Sequence, residues 1–388
     1  MIPRISSKVA SFTESVIREM TREADAHGAV NLSQGLPDFP CPPELKRAVA
    51  DAVNADLNQY PTTFGEAALR EAIAVKTAAA YPGWQVDAET ELCVTCGATE
   101  AMVATMLALL EPGDEVVMFE PRYENYGPDA IFAGAKPVFV PLHRPDWTID
   151  EAQLRAAFSD RTRAIVVNTP HNPTGKVFSA EELALIAELC QRHDVLCFTD
   201  EIYEHIHFLG EGGHIPPATV PGLEDRTVTI NSLSKTYAVT GWRVGWTIAP
   251  AWATKAIRTV HDFLTVGAPT PLQAAGVTAM RLPRGYYTDL AEHYRRLRDL
   301  LCPALADIGF ELRVPDGAYY VLCGTGKFDP AKDDVAFARK LITEVGVATV
   351  PGSSFYAEPA KGGDLVRFAF PKREETLRAA IERLSTLG

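Results

Sequence analysis

Between residues 91 and 201, five short apolar runs, "ELCVT", "DEVVMFE", "KPVFVPL", "RAIVVNTP" and "VLCFTDE", are separated by segments of helix length. The separators "TEAMVATMLALL", "YGPDAIFAGA", "AQLRAAF" and "SAEELALIAELCQRHD" repeat apolar residues at three- and four-residue intervals, which predicts helices. Sustained alternation of strand and helix leaves few folds open, and the one it favours is an α/β sheet, largely parallel, with helices on both faces. Ala164 to Val167 read as a strand buried on both sides.

After residue 280 the texture changes. "YYTDLAEHYRRLRDLLCPALADIGF" predicts one long amphipathic helix, followed by a strand in "AYYVLCG", a helix in "DDVAFARKLITEVG", the segment "VATVPGSSF", a strand in "LVRFAF" and a closing helix in "EETLRAAIERLSTL". This mixed order predicts a smaller α+β unit, and 388 residues are enough for two domains. The expected division is a large domain over 42–279, with an N-terminal arm and small domain formed by 1–41 and 280–388. A ligand site is expected between them.

A formal net charge of −13 argues against a nucleic-acid partner. "MIPRISSKVASFTESVIREM" lacks a basic segment followed by an apolar one, and no later run has the length of a membrane span. The expectation is a cytoplasmic protein with no membrane partner. Seven scattered cysteines, an odd number, fit free thiols. Cys93 and Cys96 form a C-x-x-C without a second pair, and read as strand and loop residues. His205, His207 and His214 lack a carboxylate or cysteine cluster of matching spacing, so no metal is expected.

In open α/β sheets ligands bind beyond the carboxyl ends of the strands, so the residues that follow each strand carry the functional reading. After "ELCVT", Gly97-Ala98-Thr99 opens a helix, where unsatisfied N–H groups and a positive dipole end suit one phosphate. Neither G-x-G-x-x-G nor G-K-[ST] stands there, which weakens dinucleotide and triphosphate readings. After "VLCFT", Asp200 ends an apolar strand and needs a cationic or hydrogen-bonding partner. "NSLSKTYAVTGWRVGW" places Lys235 in a short connection between the strand-like runs "RTVTI" and "VGWTIAP". A partly dry lysine there would have a lowered pKa and a nucleophilic amine. Pyridoxal 5'-phosphate (PLP) requires a Schiff-base lysine, an acid facing its ring nitrogen and an anchored phosphate. Lys235, Asp200 and a cradle of Gly97 to Thr99 with Ser232, Ser234 and Arg243 supply all three.

The ordered set "NLSQGLPDFP", "NQYPTTFG", "NPTG", "TDEIYE", "SLSKTYAVTGWRVGW" and "VRFAF" resembles the class I/II aminotransferases of PLP fold type I, which are aspartate aminotransferase-like, over nearly the whole chain. Within that family, "KVFSAEELALIAELCQRHDVLCFTDEIYEHI" is most similar to the branch holding kynurenine aminotransferases, glutamine transaminase K and bacterial methionine aminotransferases. The resemblance implies that Lys235 carries the cofactor and moves the substrate proton, while Asp200 keeps the ring nitrogen protonated. It implies that Asn172 and Tyr203 bond the cofactor's phenolic oxygen and that Tyr123 stacks on its ring. By the same resemblance Arg243 and Ser232 hold the phosphate, and Tyr60 reaches the phosphate of a neighbouring subunit in a homodimer with shared active sites. Arg367 would grip the substrate α-carboxylate through a bidentate fork, helped by Asn172 and the backbone at Gly35.

Departures from the family pattern bear on the substrate. Thr99 stands where some members carry a lysine for a second carboxylate and kynurenine enzymes often carry an aromatic. Val266 and Gly267 stand where kynurenine enzymes present an aromatic and a histidine from the partner subunit. The expected activity is transfer of an amino group from a neutral or aromatic L-amino acid, such as methionine, glutamine or kynurenine, to a 2-oxo acid by a ping-pong mechanism. The alternative on the same scaffold is a cysteine-conjugate type β-lyase. A non-enzymatic PLP-binding regulator is a third reading, which the acidic charge disfavours.

Overall fold

A computed structural model describes residues 6–9, 14–210 and 212–387. In chain order the elements begin with α1 (Val16–His27), β1 (Val30–Asn31), α2 (Pro43–Asn54), α3 (Ala67–Ala80), β2 (Leu92–Thr95), α4 (Ala98–Leu109) and β3 (Glu115–Glu120). They continue with α5 (Tyr126–Phe132), β4 (Lys136–His143), β5 (Thr148–Ile149), α6 (Glu151–Ala156), β6 (Thr162–Asn168), α7 (Ala180–His193) and β7 (Leu196–Asp200). Next are β8 (Thr227–Ser232), β9 (Gly245–Ile248), α8 (Ala251–Thr265), α9 (Thr270–Met280) and α10 (Arg284–Ile308). The chain closes with β10 (Glu311–Leu312), β11 (Tyr320–Gly324), α11 (Asp334–Lys340), β12 (Val347–Ala348), β13 (Val350–Pro351), β14 (Leu365–Ala369) and α12 (Glu374–Leu384).

The large sheet has the order β2-β9-β8-β7-β6-β3-β4-β5. Its centre is parallel, from β8 through β7, β6 and β3 to β4. Those central strands read as near-continuous apolar runs because helices cover both faces, and every residue of β3 is buried. β9 runs antiparallel to both β8 and β2. The cause is the short Leu233–Val244 connection that carries Lys235: without a crossover helix, a strand laid beside its predecessor must reverse. Two antiparallel steps restore the direction of β2, so the carboxyl ends of β2, β6, β7 and β8 meet along one sheet edge.

A second sheet, β10-β11-β14-β13, is antiparallel and packs with α10 and α12 in a core that also takes in Leu32 and Tyr203. Another cluster joins Val117, Ile165 and Cys197 of the large sheet to Leu322, Val350 and Leu365 of the small one. β1 pairs in parallel with β12, and Asn31 Oδ1 then accepts hydrogen bonds from the Ser33 and Gln34 N–H groups. That turn carries Ser33 and Gly35 over the sheet edge.

Local chemistry sets the ends of the elements. Ser179 and Glu182 form a reciprocal capping box at the start of α7. The helix expected in "DDVAFARKLITEVG" is α-helical only to Lys340; it widens into a π-turn over Leu341–Val345 and closes on Gly346 at φ 78°, a conformation that glycine adopts without strain. Among the described residues, no helix is long and apolar enough to cross a membrane.

Candidate active site

The floor of the site is the carboxyl edge of β6, β7 and β8. Asn168 and Asp200 are direct neighbours across the β6–β7 pair. Asn168 Nδ2 donates to the Asp200 carbonyl at 2.9 Å and its Oδ1 accepts the Asn172 N–H at 2.7 Å, so one amide fixes two expected site residues. Asp200 Oδ2 accepts from the Tyr126 hydroxyl at 2.6 Å, and Oδ1 accepts from the Ile202 N–H at 3.3 Å. Burial pushes the Asp200 carboxyl up to about 6, against the pull of these two bonds and of the Lys235 charge. A carboxylate held this way is primed to pair with a cation in the cavity.

The other acids of "TDEIYE" point away from the cavity. Glu201 accepts from Thr199 at 2.6 Å and pairs with His214 Nε2 at 2.9 Å. Glu204 accepts from Lys76 at 2.7 Å and from Tyr81 at 2.8 Å, with His205 beside it. These pairs brace the strand end from behind. Among the described residues no group of three histidine, cysteine or acidic side chains could hold a metal. The seven cysteines are free, and burial pushes the Cys93 thiol up to about 12, which keeps it protonated and unreactive.

Lys235 enters from the β8–β9 connection and donates from Nζ to the Gly35 carbonyl at 3.0 Å. Burial lowers its pKa below that of an ordinary lysine; Tyr320 and Asp200 oppose the shift, and the Arg367 and Arg243 charges add to it. The ammonium therefore loses its proton more readily than a surface lysine would.

Beside Lys235 is the start of α4. Gly97, its N-cap, sits at φ 85°, and a Cβ there would stand 2.3 Å from Arg243 Nη2. Only glycine lets this backbone approach the guanidinium. Arg243 itself is held at φ 55°, an uncommon left-handed conformation for a non-glycine residue, and its Nη1 donates to the Thr240 carbonyl at 2.9 Å. Ala98, Thr99, Ser232, Ser234 and Arg243 line the same cavity. First-turn N–H groups without intrahelical acceptors, two hydroxyls and a guanidinium make a monoanion or dianion cradle.

Tyr123, Asn172 and Tyr203 also line the cavity. The Tyr203 hydroxyl donates to that of Tyr320 at 3.2 Å. The turn bearing Asn172 is held by a buried His171, whose Nδ1 lies 2.7 Å from the Thr174 hydroxyl and whose pKa burial lowers to about 3, so it stays neutral. Gly175 is fixed by packing, because a Cβ would meet Pro315 at 2.2 Å.

Arg367, from mid-β14 opposite Leu322 and Val350, stands behind the cavity wall formed by Asn172 and Tyr320. It is 1% exposed and sandwiched between the Tyr320 ring at 4.1 Å and the Phe355 ring at 5.0 Å. Nη1 donates to Asn172 Oδ1 and Nη2 to the Ser33 carbonyl, each at 2.8 Å, while Nε has no partner. Among the described residues no carboxylate pairs with this guanidinium, which leaves its charge available to an anion. The Gly35 carbonyl, in turn, is taken by Lys235 and by the Tyr319 hydroxyl at 2.7 Å.

Gly35, Gly97 and Arg367 border lining residues without lining this cavity themselves, and Tyr60 stands apart. Tyr60 is 85% exposed and does not line this cavity. Reading the sequence missed Tyr126, Asn168 and Tyr320. Tyr126 follows Tyr123 by three residues, and Asn168 ends a strand as Asp200 does; those spacings were the available signals.

The profile of the family described as aminotransferase class I and II matches residues 27–384. The chain is 39% identical over 387 residues to methionine aminotransferase of Escherichia coli K12, covering 100% of this chain and 99% of that one. It is 36% identical over 398 residues to human kynurenine–oxoglutarate transaminase 1, covering 94% of each. The solved structure of N-succinyldiaminopimelate aminotransferase from Mycobacterium tuberculosis superposes with a TM-score of 0.96 at 39% identity, covering 99% of this chain and 100% of that one.

Proposed function

The chain belongs to the class I and II aminotransferases, with the α/β architecture of PLP fold type I, and from that premise we propose that it transfers the amino group of a neutral or aromatic L-amino acid to a 2-oxo acid, using PLP held in the cavity above β7. The carrying observation is a cavity lined by Lys235, Asp200 and Asn172, with Arg367 bonded to Asn172 and keeping a buried, unpartnered Nε. That set accommodates a ring nitrogen, an amine and a carboxylate at once.

When bound, PLP supplies an aldehyde that takes up the amino group and a ring that draws electrons from the bond to the α-hydrogen. The α4 N-terminus with Ser232, Ser234 and Arg243 would hold its phosphate, Asp200 its ring nitrogen, and Asn172 and Tyr203 its phenolic oxygen, with Tyr123 against the ring face. Arg367 orients the substrate by its α-carboxylate. Lys235 Nζ, whose pKa burial lowers, would accept the α-proton and return it one position away.

Cation inventory supports a neutral donor. Among the cavity-lining residues the cations are Lys235 and Arg243, and Arg243 is committed beside Gly97. None of these is left for a second substrate carboxylate. Methionine and kynurenine, in keeping with two of the relatives above, and glutamine are the donors to try first.

We also infer a homodimer. Tyr60 and Phe263 are exposed to solvent in one copy, and their segments touch: Thr270 donates to the Gln59 carbonyl, and His261 Nε2 lies 2.8 Å from the Thr63 carbonyl. A second copy covering this apolar face would bring Tyr60 to the neighbouring cradle. The expected domain division at residues 42 and 280, and a cytoplasmic location, complete the proposal.

Single amino acids mixed with PLP-loaded enzyme test the reaction. Stoichiometric conversion of the cofactor to its amine form with release of a 2-oxo acid and no ammonia is expected, and the fastest donor identifies the substrate class. Continuous ammonia release without a 2-oxo acid acceptor would replace transamination by β-elimination. Arg367→Gln is expected to raise KM for every amino acid donor by about 100-fold, while leaving amines that lack a carboxylate unaffected, because only the former lose a buried charge-assisted pair.

A further inference from the structure

The roles assigned above leave one charged group of the cavity without a task. Asp129 lies on α5, one turn beyond the Tyr126 that bonds Asp200. Its backbone is ordinary helix, with its N–H donating to the Asn125 carbonyl at 3.0 Å and its carbonyl accepting from Ala133 at 3.2 Å. Its side chain is not ordinary. Asp129 is 5% exposed and lines the cavity next to Met102, Tyr123 and Tyr126, and its Oδ2 has no hydrogen-bond partner. Burial pushes the carboxyl up to about 8, and no neighbouring cation opposes the shift. Its charge reaches the hydroxyls of Tyr123 and Tyr126 and pushes both further up.

An unpaired buried carboxyl lowers the stability of the fold. An apolar side chain would pack beside Met102 without that cost, so the acid needs a reason outside the protein's own hydrogen bonds. Its place supplies one. Tyr126, one turn before Asp129 on α5, bonds Asp200, so Asp129 lines the same cavity as the acid assigned to the ring nitrogen.

Resting on the PLP reading, we propose that Asp129 is a cofactor-contact residue, whose carboxyl accepts a hydrogen bond from a donor that enters the cavity with the cofactor. In the free protein the same group is a liability, and the bound cofactor relieves it. Asp129 thereby lowers the stability of the apoprotein and raises its affinity for the cofactor, a combination a purely structural residue does not produce.

Thermal unfolding of the apo and PLP-loaded forms, with spectroscopic titration of each apoprotein by PLP, separates the possibilities for wild type, Asp129→Leu and Asp129→Ala. Asp129→Leu is expected to raise the Tm of the apoprotein by about 2 °C while weakening PLP binding about tenfold, so that the Tm increment on loading shrinks. Should the leucine fail to fit, Asp129→Ala carries the same expectation for affinity. Variants that bind PLP as tightly as wild type would overturn the proposal, as would an apoprotein Tm unchanged or lowered in both. A wild type that does not bind PLP at all would overturn the reading beneath it, a result distinct from equal binding across the series.

Discussion

Lys235→Ala will fold, bind PLP weakly and turn over amino acids more than about 10⁴-fold more slowly than wild type, because one side chain supplies both the covalent attachment point and the proton carrier. Borohydride treatment followed by peptide mapping should fix the cofactor on the wild-type peptide containing Lys235 and on no peptide of the variant. The lowered pKa of Lys235 adds a pH signature. Capture of an aldehyde needs the neutral amine, so the capture rate of the apoprotein must rise with pH, with a midpoint below that of an ordinary lysine. A midpoint at or above the ordinary value would mean that the amine is better solvated than its position indicates. Fixation on another lysine would move the catalytic centre altogether.

That Lys235 stood out in the sequence at all follows from strand chemistry. Central strands such as β6 and β7 must be apolar on both faces, so Asn172 and Asp200 are conspicuous among the first polar side chains after buried runs, a signal that Asn168 shared and that was missed. The same logic exposed the opening of α4 after β2 and the lysine connection after β8. Pairings across elements were less legible. Tyr126 and Asp200 meet only because β7 and the segment after β3 lie on one side of the sheet, and strand order is not written in local periodicity. Arg367 illustrates the same limit: within "VRFAF" it alternates like any solvent-facing strand residue, and only the packing of Tyr320 and Phe355 around it turns it inward. Asp129 was hidden for a different reason. On a short helix an acid between apolar residues reads as the wet face, and the seven residues of α5 are too few for the period to show which face is wet. The expectation of a largely parallel sheet left the direction of β9 open; its connection is too short for a crossover, so the strand reverses.

Asp200→Asn is the second large effect, and its consequences for activity and stability have opposite signs. Asparagine keeps the size of the side chain and can still accept the Tyr126 hydroxyl, but it cannot neutralise a protonated ring nitrogen, so electron withdrawal from the substrate weakens. A loss of about 10³-fold in kcat is expected, in line with removing one preorganised electrostatic partner from a dry site, with a smaller change in KM because Arg367 still holds the carboxylate. In the apoprotein the substitution should be stabilising, and increasingly so as pH rises. The Asp200 carboxyl is raised from an ordinary 3.8 to about 6, so between those values the folded wild type holds a proton that the unfolded chain has released. Wild-type stability therefore falls as pH climbs through that window, by about 3 kcal/mol in total at 1.36 kcal/mol per pH unit, and remains lowered at pH 7. The variant has no such group. Denaturant unfolding of both apoproteins at pH 4 and pH 7 should show the difference in unfolding free energy, variant minus wild type, growing by up to about 3 kcal/mol at the higher pH. Loading with PLP should reverse the order, since only the carboxylate gains a cationic partner. If the stability difference is flat with pH, Asp200 is better compensated in the apoprotein than its two hydrogen bonds allow; if loading leaves the order unchanged, the ring nitrogen does not face this acid, and the assignment of the cavity floor fails.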